Sequence, residues 1–319
     1  MPELPEVNTT VKGLQRVLVG STISNVWTDL AFKNKEWKIK ERKYLYKNTL
    51  KDPNFYKKFQ KEILGAKVKK IERRAKNILI HLNTKYTILI HLKMTGHLLY
   101  GKYIFNKKEN TWSPDKNERR ALHDPYNRFI HVVFSLSRGK SLVFCDARKF
   151  GKVTLIPTDK LYDKKYGLEK LGPEPLDKNF SLNNFTKRIL KKKNSNIKTV
   201  LMDQTIIAGI GNIYSDEILW ASGVHPESKP LYIPKEKYRN MYENMQILLR
   251  KGIKFGGDSM SDYRNIDGKK GRFQNYHNIY QRKNEPCLKK NCRGIIKRRV
   301  INGRSAHLCD KHQSLYNKA

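Results

Sequence analysis

Three cysteines and a histidine near the carboxyl end of the chain have the spacing of a metal site. Cys287 and Cys292 form one short-spaced pair, and Cys309 and His312 form a second pair further along. Two turns that carry such pairs can converge on a tetrahedral zinc ion, and a site with all four positions filled by protein is structural. The sequence therefore predicts one structural Zn²⁺ held by these four residues, with free thiols as the alternative.

The amino terminus also carries residues that could do chemistry. The chain begins Met-Pro-Glu, and methionine before proline is normally removed, which would leave Pro2 as a secondary amine. α-Amino groups titrate just above neutral pH, so part of the population is uncharged and nucleophilic. An amine that can form an iminium, next to the carboxylic acid of Glu3, suits attack at a sugar C1′. From these residues alone, an ordinary mobile terminus remains the alternative.

A pair of glycines, Gly209 and Gly211, leads into a helical pattern. The backbone amides of such a turn can hold a phosphate, because the start of a helix leaves donors unpaired and adds a positive dipole. The pair is weak support for a nucleotide site, since a dinucleotide fingerprint needs a preceding strand and a third glycine.

The composition indicates the partner on which these residues would act. The chain has 319 residues, with 66 Lys and Arg against 29 Asp and Glu, a formal net charge of +37. Such a charge destabilises a compact monomer by self-repulsion unless an anionic partner is present, and nucleic acid is the commonest such partner. A biased composition or a membrane surface is the alternative.

Length and apolar patterning narrow the class of protein. About 150 residues per domain makes two domains the first expectation. No apolar run approaches the roughly 18 residues of a membrane span, and the first residues lack the layout of a signal peptide. With only four cysteines, we expect a soluble cytoplasmic protein in a reducing compartment, without a membrane partner.

The first half of the chain has the pattern of an antiparallel β-sandwich. Residues 6–18 are predicted to be helical. Two hairpins follow, one joining 76–82 to 87–92 and one joining 129–136 to 141–144, and successive hairpins favour a sandwich. The polar residues 106–127 are predicted to be a long loop.

Past Pro157 the pattern becomes helical, and the stretch 171–176 marks a linker. Helical spacing covers 183–192, 199–203, 213–221 and 235–255. Strand-like runs at 295–300 and 301–304 surround an Asn-Gly turn between the cysteine pairs, which predicts a basic hairpin suited to the DNA backbone or minor groove.

Seven motifs in one order resemble the bacterial formamidopyrimidine-DNA glycosylase (Fpg/MutM) family, relatives of endonuclease VIII. They are MPELPEV at 1–7, ERRAK at 72–76, HLKMTG at 91–96, DARKFG at 146–151, LGPEPL at 171–176, LMDQTIIAGIGNIYSDE at 201–217 and the finger from Tyr280 onward. The resemblance implies an α+β multidomain fold: an N-terminal antiparallel β-sandwich with flanking helices, a helix-two-turn-helix domain and a C-terminal β-hairpin zinc finger. We place these at 1–157, 181–270 and 279–316, with a linker at 158–180.

The resemblance also assigns catalytic roles. Pro2 would be the nucleophile that displaces the damaged base and forms a Schiff base with the deoxyribose, and Glu3 would be the acid/base. Lys76 would contact phosphate beside the lesion and assist catalysis, with an exposed strand-end cation as the alternative. Asn212 and Arg304 would grip the phosphates that flank the flipped nucleotide, with Arg304 also counted as catalytic.

Further DNA contacts follow from the need to flip a nucleotide out of the stack. Met94, Arg148 and Phe150 would fill the void and read the opposite base, although Met94 and Phe150 could instead be core residues. Lys198 resembles another phosphate contact.

The resemblance implies a bifunctional glycosylase and abasic-site lyase of base excision repair. It would act as a monomer on duplex DNA that contains oxidised purines or abasic sites, and end by β,δ-elimination. An oxidised-pyrimidine enzyme of the endonuclease VIII type and a catalytically silent zinc-containing DNA-binding protein are the alternatives.

The segment 256–271 resembles a lid over the extruded base. Two departures from the family are the residues around 106–127, which could add DNA contacts, and a His in the zinc set.

Overall fold

The computed structural model describes residues 1–31, 49–164, 166–260 and 262–318. It divides the chain into two compact units. Unit 1 comprises Met1–Pro2, Glu6–Glu169 and Gly256–Gly271, and unit 2 comprises Glu3–Pro5, Lys170–Phe255 and Arg272–Ala319. Among the described residues, no helix has the length and apolar character needed to cross a membrane.

Unit 1 contains two four-stranded antiparallel sheets, as the hairpin pattern predicts. One sheet has the order β1-β8-β9-β5 and the other the order β10-β4-β3-β2. The strands are β1 (Ile23–Thr28), β2 (Val68–Arg74), β3 (Asn77–Leu82), β4 (Tyr86–His91), β5 (His97–Gly101), β8 (Ile130–Leu136), β9 (Ser141–Cys145) and β10 (Lys152–Pro157). Both predicted hairpins are therefore present, as β3-β4 and β8-β9.

Two helices complete the core of unit 1. Helix α1 (Leu4–Leu18) begins two residues before the predicted start, and its apolar face lies in the same cluster as both sheets. Helix α2 (Pro53–Ile63) begins at a cap in which Asp52 accepts from the amides of Asn54 and Phe55, which satisfies donors that a helix start leaves unpaired.

The prediction that residues 106–127 form a loop is wrong in part. Two short strands, β6 (Tyr103–Asn106) and β7 (Thr111–Pro114), pair as a hairpin, and two 3₁₀ turns follow at Arg120–His123 and Pro125–Arg128. The polar composition of the segment hid this hairpin, which is stabilised by aromatic contacts distant in sequence: the rings of Phe105 and Trp112 lie 5.2 Å apart, and both contact Trp27 of β1.

Unit 2 contains the helices that the sequence predicts and a final hairpin. The helices are α3 (Leu182–Ile189), α4 (Ile197–Met202), α5 (Asn212–Ser222) and α6 (Lys235–Lys254). Strands β11 (Lys297–Ile301) and β12 (Arg304–Leu308) pair around Asn302 and Gly303, both with positive φ, as a tight hairpin turn requires.

The described part of segment 256–271 belongs to unit 1, whereas the sequence-based boundary placed it with the helical domain. Its contacts explain this assignment. Tyr263 donates to the Glu6 carbonyl of α1 at 2.9 Å, and the Tyr100 amide donates to the Ile266 carbonyl at 2.8 Å.

Candidate active site

The carboxylate of Glu3 lies at the amino end of α5, within unit 2. Its two oxygens accept from the amides of Gly211 at 2.6 Å, Ile213 at 2.8 Å and Tyr214 at 3.4 Å, and the residue is 1 % exposed. These donors and the helix dipole stabilise the negative charge. The chain is held there by one further bond, from the Leu4 amide to the Gly209 carbonyl at 3.0 Å.

This arrangement corrects the interpretation of the glycine pair. The amides expected to hold a phosphate instead hold a carboxylate of the same chain. Only glycine fits at position 211, because a Cβ there would lie 2.4 Å from Glu3 Cδ. Residue types alone could not show this pairing, since 208 positions separate the partners.

Pro2 is buried and is bonded directly to Glu3 in the chain. Lys76, the other predicted catalytic residue of unit 1, is also buried, with 4 % exposure. It lies in the tight β2-β3 turn after Ala75, whose φ of 53° is in the left-handed region. The burial of Lys76 contradicts the alternative of an exposed strand-end cation.

His91, at the end of β4, lies close enough to three lysines to be affected by their charges; the sequence analysis predicted Lys76 but missed Lys93 and Lys152. Burial, followed by the charges of Lys93, Lys76 and Lys152, lowers the pKa of His91 to about 3. The imidazole is therefore neutral. Its Nδ1 is 3.0 Å from the Lys93 amide and accepts from it, so Nε2 carries the proton. A cluster of lysines with a neutral N–H donor suits a phosphate group.

Lys51 lies close to Lys149 and Lys93, and the sequence analysis did not predict it. Its ammonium donates to the Lys149 carbonyl. Burial lowers its pKa, as do the charges of Lys149 and Lys93, while Asp146 acts in the opposite direction. Only the folded structure brings these lysines, Lys51, Lys76, Lys93 and Lys152, into one region. They come from four separate stretches of sequence, so no sequence pattern could have identified them as a group.

Asp146 ties together the two turns that carry Met94, Arg148 and Phe150. One oxygen accepts from the Thr95 hydroxyl and the other accepts from the Gly151 amide at 2.6 Å. The Arg148 amide in turn donates to the Thr95 hydroxyl at 3.1 Å. The Thr95 hydroxyl thus both donates and accepts in this network.

Arg148 and Phe150, on the second of these turns, are exposed. Phe150 is 50 % exposed, which contradicts its reading as a core residue, and the Arg148 guanidinium lies 4.6 Å from the centre of its ring. Met94 is half-buried. An exposed aromatic ring beside a planar cation can stack on nucleic-acid bases.

The second group of predicted DNA contacts lies in unit 2. The Asn212 amide nitrogen donates to the Ser305 hydroxyl at 3.1 Å, next to Arg304 on the hairpin, while its buried Oδ1 has no hydrogen-bond partner among the described residues. Arg304 is exposed. A cavity of about 270 Å³ lies here, lined by Lys198, Thr199, Met202, Asp203, Ile301, Asn302 and Arg304.

Lys198 lines this cavity but is only 1 % exposed. Its ammonium pairs with Asp216 of α5, whose second oxygen accepts from the His307 amide at 2.9 Å. Burial and pairing give Lys198 a structural role between α4, α5 and β12. Its expected contact with phosphate stays a prediction.

The three predicted cysteine ligands come together. The sulfurs of Cys287, Cys292 and Cys309 lie within 4.8 Å of one another. The Trp220 indole donates to Cys287 Sγ at 3.3 Å, and the Gly294 amide donates to Cys292 Sγ at 3.3 Å. Three converging thiols with N–H donors around them suit a thiophilic cation.

His312 is not part of this sulfur group in the structure. Its Nε2 lies 2.7 Å from the Trp220 carbonyl, to which it donates. A metal-bound histidine characteristically donates its second ring nitrogen to such a carbonyl, which would leave Nδ1 as the ligand atom. The fourth ligand therefore stays a prediction.

The amino-terminal end of the predicted lid, segment 256–271, contacts helix α1 and folds back on itself. Buried Glu6 accepts from the Asp258 amide at 2.8 Å, and the Ser259 hydroxyl donates to the Tyr263 carbonyl at 2.7 Å. Met260, in contrast, is 46 % exposed. Ser261, which the sequence analysis included in this segment, lies outside the described residues.

Comparison with known proteins identifies the family. The N-terminal domain model of formamidopyrimidine-DNA glycosylase matches residues 1–153, and the H2TH domain model of the same enzymes matches residues 171–264. The chain belongs to the formamidopyrimidine-DNA glycosylase family. It is a DNA glycosylase of base excision repair.

Relatives in this family match almost the full chain. The formamidopyrimidine-DNA glycosylase of Pelotomaculum thermopropionicum is 34 % identical over 99 % of this chain and 100 % of its own length. That of Bacillus subtilis is 33 % identical over 98 % and 99 %.

Solved structures of family members give the same fold. The Lactococcus lactis enzyme in complex with DNA containing an abasic site has a TM-score of 0.78 and 27 % identity, over 98 % of this chain and 99 % of that one. Its G226P mutant in complex with DNA containing Fapy-dG also has a TM-score of 0.78 and 27 % identity. These matches support the β-sandwich, helix-two-turn-helix and hairpin architecture that the sequence predicts.

Proposed function

We propose that this glycosylase removes oxidised purines, 8-oxoguanine and formamidopyrimidines, from duplex DNA and then cleaves the strand at the resulting abasic site. The observation that carries the proposal is the placement of Glu3. Its carboxylate is held by three backbone amides immediately after Pro2 in the chain. The reaction needs a nucleophile and a group that transfers protons. The Pro2 amine and the carboxyl group of the adjacent residue Glu3 provide these two functions.

Pro2, after removal of Met1, attacks C1′ of the damaged nucleotide as its nitrogen lone pair displaces the base. The C1′–N bond forms as the glycosidic bond breaks, and the departing base takes up a proton. Glu3 assists opening of the deoxyribose ring by moving a proton, which gives the iminium between Pro2 and C1′. Loss of the C2′ proton then expels the 3′ phosphate, and loss of the C4′ proton expels the 5′ phosphate. Water hydrolyses the remaining iminium, which releases the sugar fragment and restores the free amine of Pro2. The product is a one-nucleotide gap with phosphate ends.

The DNA contacts divide between the units. In unit 1, we assign Lys76 to the phosphate beside the lesion, and Met94, Arg148 and Phe150 to the space that the flipped nucleotide vacates. In unit 2, we assign Asn212 and Arg304 to the flanking phosphates. The exposed Arg304 guanidinium supports this role, because it offers hydrogen-bond donors to a phosphate. The Asn212 amide nitrogen donates to Ser305, the next residue of the chain, which places a second donor group close to Arg304. Lys198 would join them if DNA drew its ammonium from Asp216.

The cysteine cluster would hold one Zn²⁺, with His312 as the fourth ligand. The ion would have a structural role only: it would fix the base of the β11-β12 hairpin, and no catalytic step involves it. We place the protein with DNA in the bacterial cytoplasm, as a monomer without a membrane partner.

Parallel cleavage of two duplexes tests the proposed specificity. The native protein is incubated with one duplex containing 8-oxoguanine opposite cytosine and one containing thymine glycol, with Glu3→Gln as the inactive reference. We expect cleavage of the 8-oxoguanine strand with phosphate at both ends of the gap. Faster cleavage of the thymine glycol duplex would contradict the proposal and favour an enzyme of the endonuclease VIII type. Binding without cleavage of either duplex would favour a silent DNA-binding protein.

A further inference from the structure

Arg264 is the largest fully buried side chain among the described residues, although it carries a charge. Its Nε and Nη2 each lie 3.3 Å from one Asp124 oxygen, and its Nη1 donates to the Tyr263 carbonyl at 2.9 Å. The guanidinium also lies 4.8 Å from the centre of the Tyr126 ring. Asp124 and Tyr126 belong to the segment between β7 and β8, and Arg264 belongs to the lid segment 256–271.

An arginine is buried at a high desolvation cost, and that cost is offset only by pairing and hydrogen bonding of good geometry. Here the partners come from a stretch of chain that is 140 residues distant in sequence. The charge therefore ties two particular segments together in a way that an apolar side chain would not, because its donors fix a direction as well as a distance.

Two further contacts join the same segments. The Arg119 guanidinium pairs with Asp267, and both side chains are partly exposed. Gly268 approaches the backbone so closely that a Cβ there would lie 2.4 Å from the Ala121 carbonyl oxygen. The C-terminal half of the lid is thus packed on residues 119–126, whereas Met260 in its N-terminal half is exposed.

We infer that Arg264 is a specificity-determining positioning residue, a latch that holds the base of the lid against residues 119–126 so that its tip can cover an extruded base. The inference rests on the proposed function. Residues 119–126, which lie between β7 and β8, would then contribute to lesion recognition by holding the lid in place. They would not need to contact DNA directly.

The latch affects one half of the reaction more than the other. Removal of a damaged base requires the lid to cover that base, whereas an abasic site presents no base to cover. Loosening the lid should therefore slow base excision and leave cleavage at a preformed abasic site almost unchanged. A general loss of folding would lower both rates together.

The test uses single-turnover rates of Arg264→Met and Asp124→Asn on a duplex with 8-oxoguanine opposite cytosine and on the same duplex with an abasic site. Asp124→Asn retains an oxygen for the Tyr126 amide, which Asp124 caps at 2.9 Å, but removes the charge facing Arg264. We expect each variant to excise 8-oxoguanine at least ten times more slowly and to cleave the abasic site within two-fold of the native rate. Arg264→Lys, which keeps the charge, should recover part of the loss.

Arg119→Met is the matched control, because it removes the partly exposed ion pair between the same segments and leaves the buried one. We expect less than a two-fold change on either duplex. Equal losses for Arg119→Met and Arg264→Met, or parallel losses on both duplexes, would overturn the latch. Native rates for all variants would also overturn it. Failure of the native protein on both duplexes would instead reject the proposed function.

Discussion

Among single residues, Glu3 shows how the backbone can position a carboxylate. Glu3 receives three amide donors from the turn that starts α5, so its position depends on the shape of that turn. The sequence identified Glu3 and the glycine turn as separate features. Their pairing could not be predicted, because hydrogen bonds between distant backbone and side-chain atoms leave no periodic signal in sequence.

Gly211→Ala tests this dependence. Position 211 has a φ of −134°, which alanine also adopts, so the added Cβ acts by displacing Glu3 rather than by straining the backbone. We expect base excision to fall by about 100-fold, the size of effect that follows a displacement of about 1 Å. Single-turnover kinetics measure it.

Glu3→Gln and the double variant are the controls for that substitution. Since both changes act through one carboxylate, the double variant should be no slower than Glu3→Gln alone. Multiplied losses in the double variant, or native activity in Gly211→Ala, would contradict the assigned role of the turn.

His91 makes stability depend on pH. Its pKa is lowered to about 3 by burial and by Lys93, Lys76 and Lys152, below its value in the unfolded chain. The unfolded chain therefore binds the proton first as pH falls, and stability is lost below pH about 6.5. Between pH 7.5 and 5 this residue should cost about 2 kcal/mol of unfolding free energy.

Urea unfolding of the native protein and of His91→Gln at pH 7.5 and at pH 5 measures the contribution of His91 to the unfolding free energy. The variant should lose about 2 kcal/mol less than the native protein over the interval. Exposed His123→Gln serves as the control and should follow the native protein. Equal pH dependence in His91→Gln and the native protein would show that His91 is not buried in the neutral form.

At the scale of elements, paired turns present the side chains that would meet DNA. Asp146 and Thr95 link the Met94 turn to the Phe150 turn, and the sulfur cluster lies at the base of the β11-β12 hairpin. Strand and helix periodicity predicted most of these elements. It missed β7 because the strand is short and lies in a polar stretch with a single large apolar residue, Trp112. It also could not place His312, whose ring contacts the Trp220 carbonyl.

Loss of one thiol should disable the finger alone. Cys309→Ser should reduce bound zinc well below one per chain and weaken duplex binding at least ten-fold, because the hairpin that carries Arg304 loses its fixed base. Elemental analysis and binding titrations are the measurements. Cys145→Ser, a buried thiol of β9 outside the cluster, should retain full zinc. Normal zinc content in Cys309→Ser would reject the proposed ligand set.

At the scale of the whole molecule, the charge of +37 is the feature that composition alone made clear. Motif order then gave the family, and the fold agreed. The sequence could not show which basic residues pair inside the protein. Lys198 and Arg264 are buried and pair with Asp216 and Asp124. A basic residue in this chain therefore need not contact DNA.

Duplex affinity should depend steeply on salt. If about six phosphates are neutralised, raising the salt concentration from about 0.1 to 0.2 M should weaken binding more than ten-fold, since released counterions drive the association. Titrations at several salt concentrations give the slope, which Arg304→Gln should reduce by about one. Affinity that does not change with salt would contradict the electrostatic account.

The proposed reaction requires the amine of Pro2 to become covalently bound to the damaged nucleotide. Borohydride trapping on a labelled duplex with 8-oxoguanine opposite cytosine tests it directly, with removal of Met1 verified by mass and a Pro2→Gly variant in parallel. We expect a covalent protein–DNA adduct with the native protein that is lost or strongly reduced in the variant. No adduct from a native protein that binds the duplex tightly and has Pro2 at its terminus would contradict it.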